Sequence, residues 1–283
     1  MAERKIVDWF TMNGKHIPIY EGESKADAVN RSIAKDNEDK KAEQIRKNKE
    51  QADKLNGKSE EYQTFKRDSN PIPWLKQNSN WADWENTFYR YDEEDETDNW
   101  DGLSDTKDAI KWFTASGYHE INGALYKKKW DDISEKNQQN IENIRNGLDR
   151  FEINKGLEVA RQSDFVMLGK QPYEKMSIDD VKSFFSQNDG VFQNDGFMSF
   201  SMDDTGRAIM GKKGLVTHLR IPPSKGAGMY VGDLSAHPKE QEFLLNDRAV
   251  LKYDVDSLHQ DGDGNIHVTA YWLGQADKRT IDR

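Results

Sequence analysis

Apolar positions are spread unevenly along this chain, and their spacing changes from one stretch to the next. Near the start, "WFTMNGKHIPIY" sets two short apolar runs on either side of Asn13-Gly14. Asn-Gly suits a tight hairpin turn, whose two central residues both need positive φ. The following "GESKADAVNRSIAKDNEDKKAEQIRKNKEQADKLNG" reads as a helix. Ser24 and Asp27 have the spacing of a reciprocal N-terminal cap, although Glu or Gln is the commoner partner, and Asn56-Gly57 supplies a stop. The apolar positions Ala28, Val29, Ile33, Ile45 and Leu55 form only a thin stripe. A helix of that kind needs a partner surface.

From Lys58 the pattern breaks up. "NPIPWLKQNSNWADWENTFYRY" carries two prolines and Trp74, Trp81 and Trp84 among polar residues. It reads as a linker strapped over the domain that follows, with docking anchors for a partner as the other reading. The acidic "YDEEDETDNWDG" beginning at Tyr91 reads as solvated linker. Beyond about Ser104 the apolar pattern becomes dense. Two helical stretches come first, "DTKDAIKWFTASGYHEINGAL" with Ala109, Ile110, Trp112 and Phe113, then "SEKNQQNIENIRNGLDRF" with Ile141, Ile144 and Leu148. Strand-like segments follow: "GLEVAR", then, after a short helix capped by Ser177, "GFMSFS", "LVTHLRIP", "GMYVG", "EFLL", "AVLKYDVD" and "IHVTAYWL". Helices followed by many short strands predict an α+β fold, not a doubly wound parallel sheet. The predicted organisation is a hairpin plus long polar helix over 1–57, serving docking or delivery, an aromatic and acidic linker over 58–103, and one compact domain over 104–283.

Composition narrows the function classes. Charged residues make up 33% of the 283, and the mean hydropathy of -1.00 fits one packed domain with a polar extension. A net charge of -10 without a basic stripe argues against a nucleic-acid partner. The absence of cysteine excludes disulfides, thiolate metal sites and a cysteine nucleophile. No apolar run approaches the roughly 20 residues of a membrane helix. The start of the chain lacks the apolar core of a secretory signal. The expectation is a soluble protein, cytoplasmic or delivered to a host cell by a non-Sec or phage route. The six histidines show no metal-ligand spacing, and no metal is expected. "DGDGN" at 261–265 lacks the glycine and carboxylate that a calcium loop needs at its sixth and twelfth positions, and reads as a tight turn. "GAG" at 226–228 is not a dinucleotide-binding fingerprint.

Candidate chemistry lies in three places. Arg161 ends "GLEVAR", Ser199 and Ser201 alternate in "GFMSFS", and Glu240 and Glu242 precede "FLL". In an extended chain residues i and i+2 share a side, so the two glutamates are predicted side by side where a strand begins. Singly, none of these features is specific. Their order is: an arginine strand, a Gly-aromatic-x-Ser-x-Ser strand, an apolar strand ending Ile221-Pro222, a Gly-rich turn, then Glu-x-Glu. In that order, over roughly 104–283, the chain resembles the arginine-serine-glutamate class of mono-ADP-ribosyltransferases, the group of exoenzyme toxins and phage-encoded ADP-ribosylating proteins. The lead-in with Ile121-Asn122 is similar too, and "RIPPSKGAGMYVGDLSAHPKEQEFLL" is the most specific portion. The first hundred residues have no counterpart in the resemblance.

The resemblance implies an ADP-ribosyltransferase-like fold, with helices packed on a split antiparallel β-sandwich. NAD is a consumed substrate in a cleft between the sheets, without a metal. Cleaving the nicotinamide–ribose bond develops an oxocarbenium-like cation, which a fixed carboxylate stabilises mainly in the transition state. The resemblance assigns that task and the ribose 2′-hydroxyl to Glu242. Ser199 orients the carboxylate, and Ser201 is placed with it among the residues that bind NAD. Arg161 clamps the phosphates through its guanidinium fork, and Arg207 in "SMDDTGRAIMGKKG" adds a second phosphate contact. Gln162 holds the nicotinamide amide through backbone groups, and Glu240 faces the acceptor. His237, just ahead of the pair, reads as solvent-exposed. Two positions depart from the family pattern: Phe200 stands where threonine is usual, and Gln162 where glycine is. Glutamate at the first place of the pair is similar to enzymes that modify arginine, so the implied partner is a target protein presenting an arginine. The N-terminal region is then left to bind a partner or a delivery particle. The rival readings are a structural or virion-associated binding module of the same fold, and a glycohydrolase using water as acceptor.

Overall fold

The computed structural model describes residues 5–12, 15–33, 35, 43, 50, 62–84, 103–127, 129–170, 174–205 and 214–277. The chain divides into two compact units, Met1–Asp53 and Lys54–Arg283. In the first, strands β1 (Ile6–Met12) and β2 (Lys15–Tyr20) pair antiparallel, with Met12 opposite Lys15. Helix α1, residues 25–33, begins at the expected cap. The Ser24 amide donates to the Asp27 carboxylate, and the Asp27 amide donates to the Ser24 hydroxyl. Asn13-Gly14, Ile45, Leu55 and Asn56-Gly57 lie outside the described residues. The unit's core is small: Ile17, Ile19 and Ala28.

The second unit opens with a short strand β3 (Tyr62–Gln63) and helix α2 (Ile72–Asn78). Helices α3 (Leu103–Trp112) and α4 (Tyr118–Lys127) occupy the first predicted helical stretch. They are joined by a π-helical turn, Phe113–Gly117. At Gly117 a Cβ would lie 2.4 Å from the Trp112 ring, so that side chain fills the space beside the turn. Helix α5 (Glu135–Arg150) is capped by Ser134, and α6 (Ile178–Phe185) has a reciprocal box between Ser177 and Asp180.

The strands are β4 (Glu152–Ile153), β5 (Gly156–Ser163), β6 (Val191–Asn194), β7 (Met198–Ser201), β8 (Leu215–Ile221), β9 (Ser224–Lys225), β10 (Gly228–Tyr230), β11 (Glu242–Leu245), β12 (Ala249–Gln260) and β13 (Ile266–Gln275). All but β4 and β9 join β3 in one sheet, ordered β10-β11-β7-β5-β8-β13-β12-β6, with β3 beside β5. Most neighbours run antiparallel, but β8 and β13 are parallel, as are β3 and β5. The main strands form one large mixed sheet, and a seam crosses it. Strand β5 pairs with β8 over seven residues, whereas it meets β7 at a single pair, Ala160 and Ser201. Strand β3 occupies the start of the same β5 edge, at Gly156 and Leu157.

Residues 62–84 are built into this unit. Phe65, Leu75, Trp81 and Trp84 belong to the same buried cluster as Ile110, Phe113, Ile144 and Phe243. The far end of β11 is pinned to α5. Arg145 donates from Nε to the fully buried Asp247 at 3.1 Å, with its fork against the same carboxylate, and Asn246 donates to Asp149 at 2.7 Å. Buried polar groups satisfied in this way hold a strand in one register.

Candidate active site

A cleft of about 1060 Å³ opens beside the seam. Arg161, Ser199, Ser201, Glu240 and Glu242 all border it, as does Gln162. Strand β11 carries Glu242 as its first residue, in a segment that is buried throughout. Only 5% of Glu242 is exposed. Ser235 donates its hydroxyl to Glu242 Oε2 at 2.9 Å, and the Ser199 hydroxyl also bonds the carboxylate. Burial pushes this carboxyl above the usual glutamate range. The two serine hydrogen bonds oppose that rise, Glu240 adds to it, and Arg161 opposes it.

No sequence pattern marks Ser235 as part of the site. A serine seven residues ahead of the carboxylate it bonds has no periodicity to mark it, because a loop brings it back. The same hydroxyl accepts from the His237 amide at 3.1 Å, and the Ala236 amide donates to Thr114 Oγ1 at 2.9 Å. The loop before the glutamate pair is thereby anchored to the π-helical turn.

The glutamates meet by a different route from the one the sequence suggested. Glu240 is not on the strand: it ends a 3-10 turn, Pro238–Glu240, and is exposed. Gln241 then takes a left-handed conformation, φ +49°, and only at Glu242 does the extended backbone begin. Strand alternation therefore does not relate the two carboxylates. A turn does, and it leaves one at the rim and the other on the floor.

Arg161 sits within β5, two residues short of its end. Its Nη1 donates across the seam to the Ser199 carbonyl at 2.6 Å. Burial pulls its guanidinium below the usual arginine range, opposed by Tyr126 and then by Glu242. Ser201 stands opposite Glu242 in the β7–β11 register, and its hydroxyl donates to the Glu240 carbonyl at 3.2 Å. Phe200 points the other way. It faces Phe243 in the core and is 2% exposed, which accounts for an apolar residue between the two serines.

Gln162 directs its side-chain amide at Asn265, 2.9 Å away. Asn265 closes the tight turn between β12 and β13, where its amide donates to Asp261 Oδ1 at 2.8 Å. Arg207 lies outside the described residues. His237 is exposed at the rim loop. Asn122 clamps the chain just ahead of β7: it donates to the Phe197 carbonyl at 2.9 Å and accepts from the Phe197 amide at 3.0 Å. A second wall of the cleft comes from Arg67, Asp68, Asn70, Pro71 and Ile72, a turn the sequence patterning did not attach to any site.

Among the described residues, no group of three or more His, Asp or Glu side chains is placed to hold a metal ion, and no helix is long and apolar enough to cross a membrane.

A family model described as ADP-ribosyltransferase exoenzyme matches residues 78–274. Among solved structures, Plx2a, an ADP-ribosyltransferase toxin from Paenibacillus larvae, is similar with a TM-score of 0.55 at 19% identity, covering 72% of this chain and 94% of that one. C3stau2 from S. aureus, solved with NAD, is similar with a TM-score of 0.54 at 17% identity, covering 76% of this chain and 100% of that one. The C3 exoenzyme of Clostridium limosum gives 0.53 at 15% identity, covering 75% and 97%. At such identities the structural likeness is one of fold. No curated protein matches the chain.

Proposed function

Because the chain belongs to the ADP-ribosyltransferase exoenzyme family, whose reaction transfers ADP-ribose from NAD, we propose that it modifies arginine side chains of a target protein. The observation that carries this reading is the pairing of a buried Glu242 on the cleft floor with an exposed Glu240 at its rim. Glu242 supports the positive charge that grows on the ribose as the C1′–N bond breaks and nicotinamide leaves with the bonding electrons. Arg161 holds the dinucleotide phosphates from β5, on the far side of β7. At the rim, Glu240 binds the incoming guanidinium and takes its proton as nitrogen attacks C1′. A cationic guanidinium is a poor nucleophile, and a carboxylate within reach supplies what it lacks. The acceptor must arrive from solvent, which suits a carboxylate in that position. Ser199 and Ser235 support Glu242 as the ionised carboxylate.

The first unit, with Ile6, Val7 and Trp9 exposed on its hairpin, fits a docking element for a partner or delivery particle.

The test is nicotinamide release from NAD with and without agmatine, a free guanidinium acceptor. Agmatine is expected to accelerate release by the wild type and to lose that effect in Glu240→Gln. Release indifferent to agmatine overturns the arginine reading in favour of water or another acceptor.

Ser235→Ala removes one of two hydroxyl donors from the buried carboxylate. A hydrogen bond to a charged group contributes about 1.5–3 kcal/mol, so the rate is expected to fall roughly tenfold or more. The acidic limb of the pH–rate profile is expected to move to higher pH, because the ionised form of Glu242 loses support. A rate loss with an unmoved limb sinks this role for Ser235.

A further inference from the structure

The middle residue of the Glu-x-Glu pair has no part in the chemistry just described, yet its side chain makes the longest-range hydrogen bond at the rim. Gln241 Nε2 donates to the Ser69 carbonyl at 2.6 Å, across 172 positions of sequence. The amide orientation is chemically determined, since the reverse would set two oxygens against each other. Ser69 lies on the turn that forms the second wall of the cleft, at the position after Asp68, which has φ +64°. That turn precedes the segment matched by the family model, residues 78–274.

The bond belongs to a closed circuit. The Met202 amide donates to the Gln241 carbonyl at 3.0 Å, and the Ser69 amide donates to the Lys66 carbonyl at 3.0 Å. Lys66 Nζ pairs with Asp204 at 2.6 Å, and the Asp204 amide donates to the Phe65 carbonyl at 2.9 Å. Residues 202–204 are continuous with β7, which returns the circuit to its start. Three chain segments distant in sequence therefore meet around Gln241.

The Ser201 hydroxyl ties the rim turn to β7 through the Glu240 carbonyl, and the Gln241 side chain ties it to the second wall of the cleft. Pro238–Glu240 is a single exposed turn without a side-chain cap. It is followed by a residue in the left-handed region, which side-chain-bearing residues enter reluctantly. We infer that Gln241 is a positioning residue: by latching onto the turn at 66–69 it sets where the Glu240 carboxylate meets the acceptor. This rests on the arginine reading of the site. It also makes residues 65–70, outside the family-matched segment, a component of acceptor recognition.

The experiment measures the half-saturation constants for agmatine and for NAD in Gln241→Met and Gln241→Gly. The methionine matches the glutamine in length and cannot donate. Glycine removes the latch while easing the left-handed backbone, so a fault of backbone strain alone would be relieved by it. Both variants are expected to raise the agmatine constant about tenfold or more, with the NAD constant within about twofold of wild type. An agmatine constant unchanged in Gln241→Met, or a parallel rise in both constants, overturns the inference. A wild type that ignores agmatine overturns the arginine reading and this inference with it. Stimulation that persists at wild-type agmatine levels in both variants overturns the inference alone.

Discussion

Glu242→Gln is expected to lower nicotinamide release from NAD by about a hundredfold or more while leaving the protein folded. Removing a single preorganised electrostatic group from a transition-state site typically costs 10²–10³ in rate. The carboxylate proposed for that role is buried to 5% exposure and held by two serine hydroxyls. Glutamine keeps the shape and an oxygen for those hydroxyls, and loses only the charge.

The same burial sets the pH behaviour. A carboxyl whose folded pKa is raised holds its proton more tightly in the folded state than in the unfolded chain. Folded stability therefore falls as pH rises through the window between the ordinary glutamate value and the raised one. Above that window the ionised, desolvated group destabilises the fold in full. Below it the penalty is gone. Activity runs the opposite way, since only the ionised form can stabilise a cation, so the acidic limb of the rate profile lies above the ordinary glutamate range. At pH 7 to 8, Glu242→Gln is expected to melt at or above the wild-type temperature while being nearly inactive. Thermal melts alongside nicotinamide assays check both halves. A variant that is inactive and also markedly less stable would assign Glu242 to the fold and not to the reaction.

A chain beginning at Ser104 is expected to give no folded protein, and one beginning at Lys54 to melt cooperatively. The shorter form lacks Leu75, Trp81 and Trp84, which are 0%, 2% and 5% exposed and lie in the core cluster of the second unit. Truncating one buried tryptophan to alanine costs about 3–5 kcal/mol, and a buried leucine about 2–5. Three such losses together rival the roughly 5–15 kcal/mol of an entire domain. It also loses β3, which pairs with the start of β5. Circular dichroism melts and soluble yield of the two truncations test this. A cooperative, active 104–283 fragment would show that the aromatic stretch only covers a core already complete.

How far the chain could be read in advance depends on distance along it. Strand β5 with Arg161, β7 with Ser199 and Ser201, and β11 with Glu242 are runs whose own residues favour extended structure, so their order is legible from local pattern. The Ser24 and Ser177 caps were legible for the same reason: donor and acceptor are three residues apart. What escaped was set by contacts from far away. Trp81 and Trp84 sit among polar residues in a stretch too short to show a period, and only a core contributed by later helices buries them. Ser235 is significant because a loop folds it onto Glu242. The left-handed turn at Gln241 broke the alternation expected across the glutamate pair, and nothing local foretells that break, since glutamine has no preference for such a conformation. The side chain of that residue is held far away in sequence, at Ser69.

The one-pair junction between β5 and β7 gives the molecule a mechanical property that its single sheet conceals. Arg161 stands on one side of that junction and Ser199 with Glu242 on the other, so neither arm alone determines the gap between them. The arginine fork already bridges the gap through the Ser199 carbonyl. If the fork also grips the dinucleotide, as proposed here, one guanidinium serves as brace and as handle. Loading the cleft then engages the same group that spans the gap between the two arms.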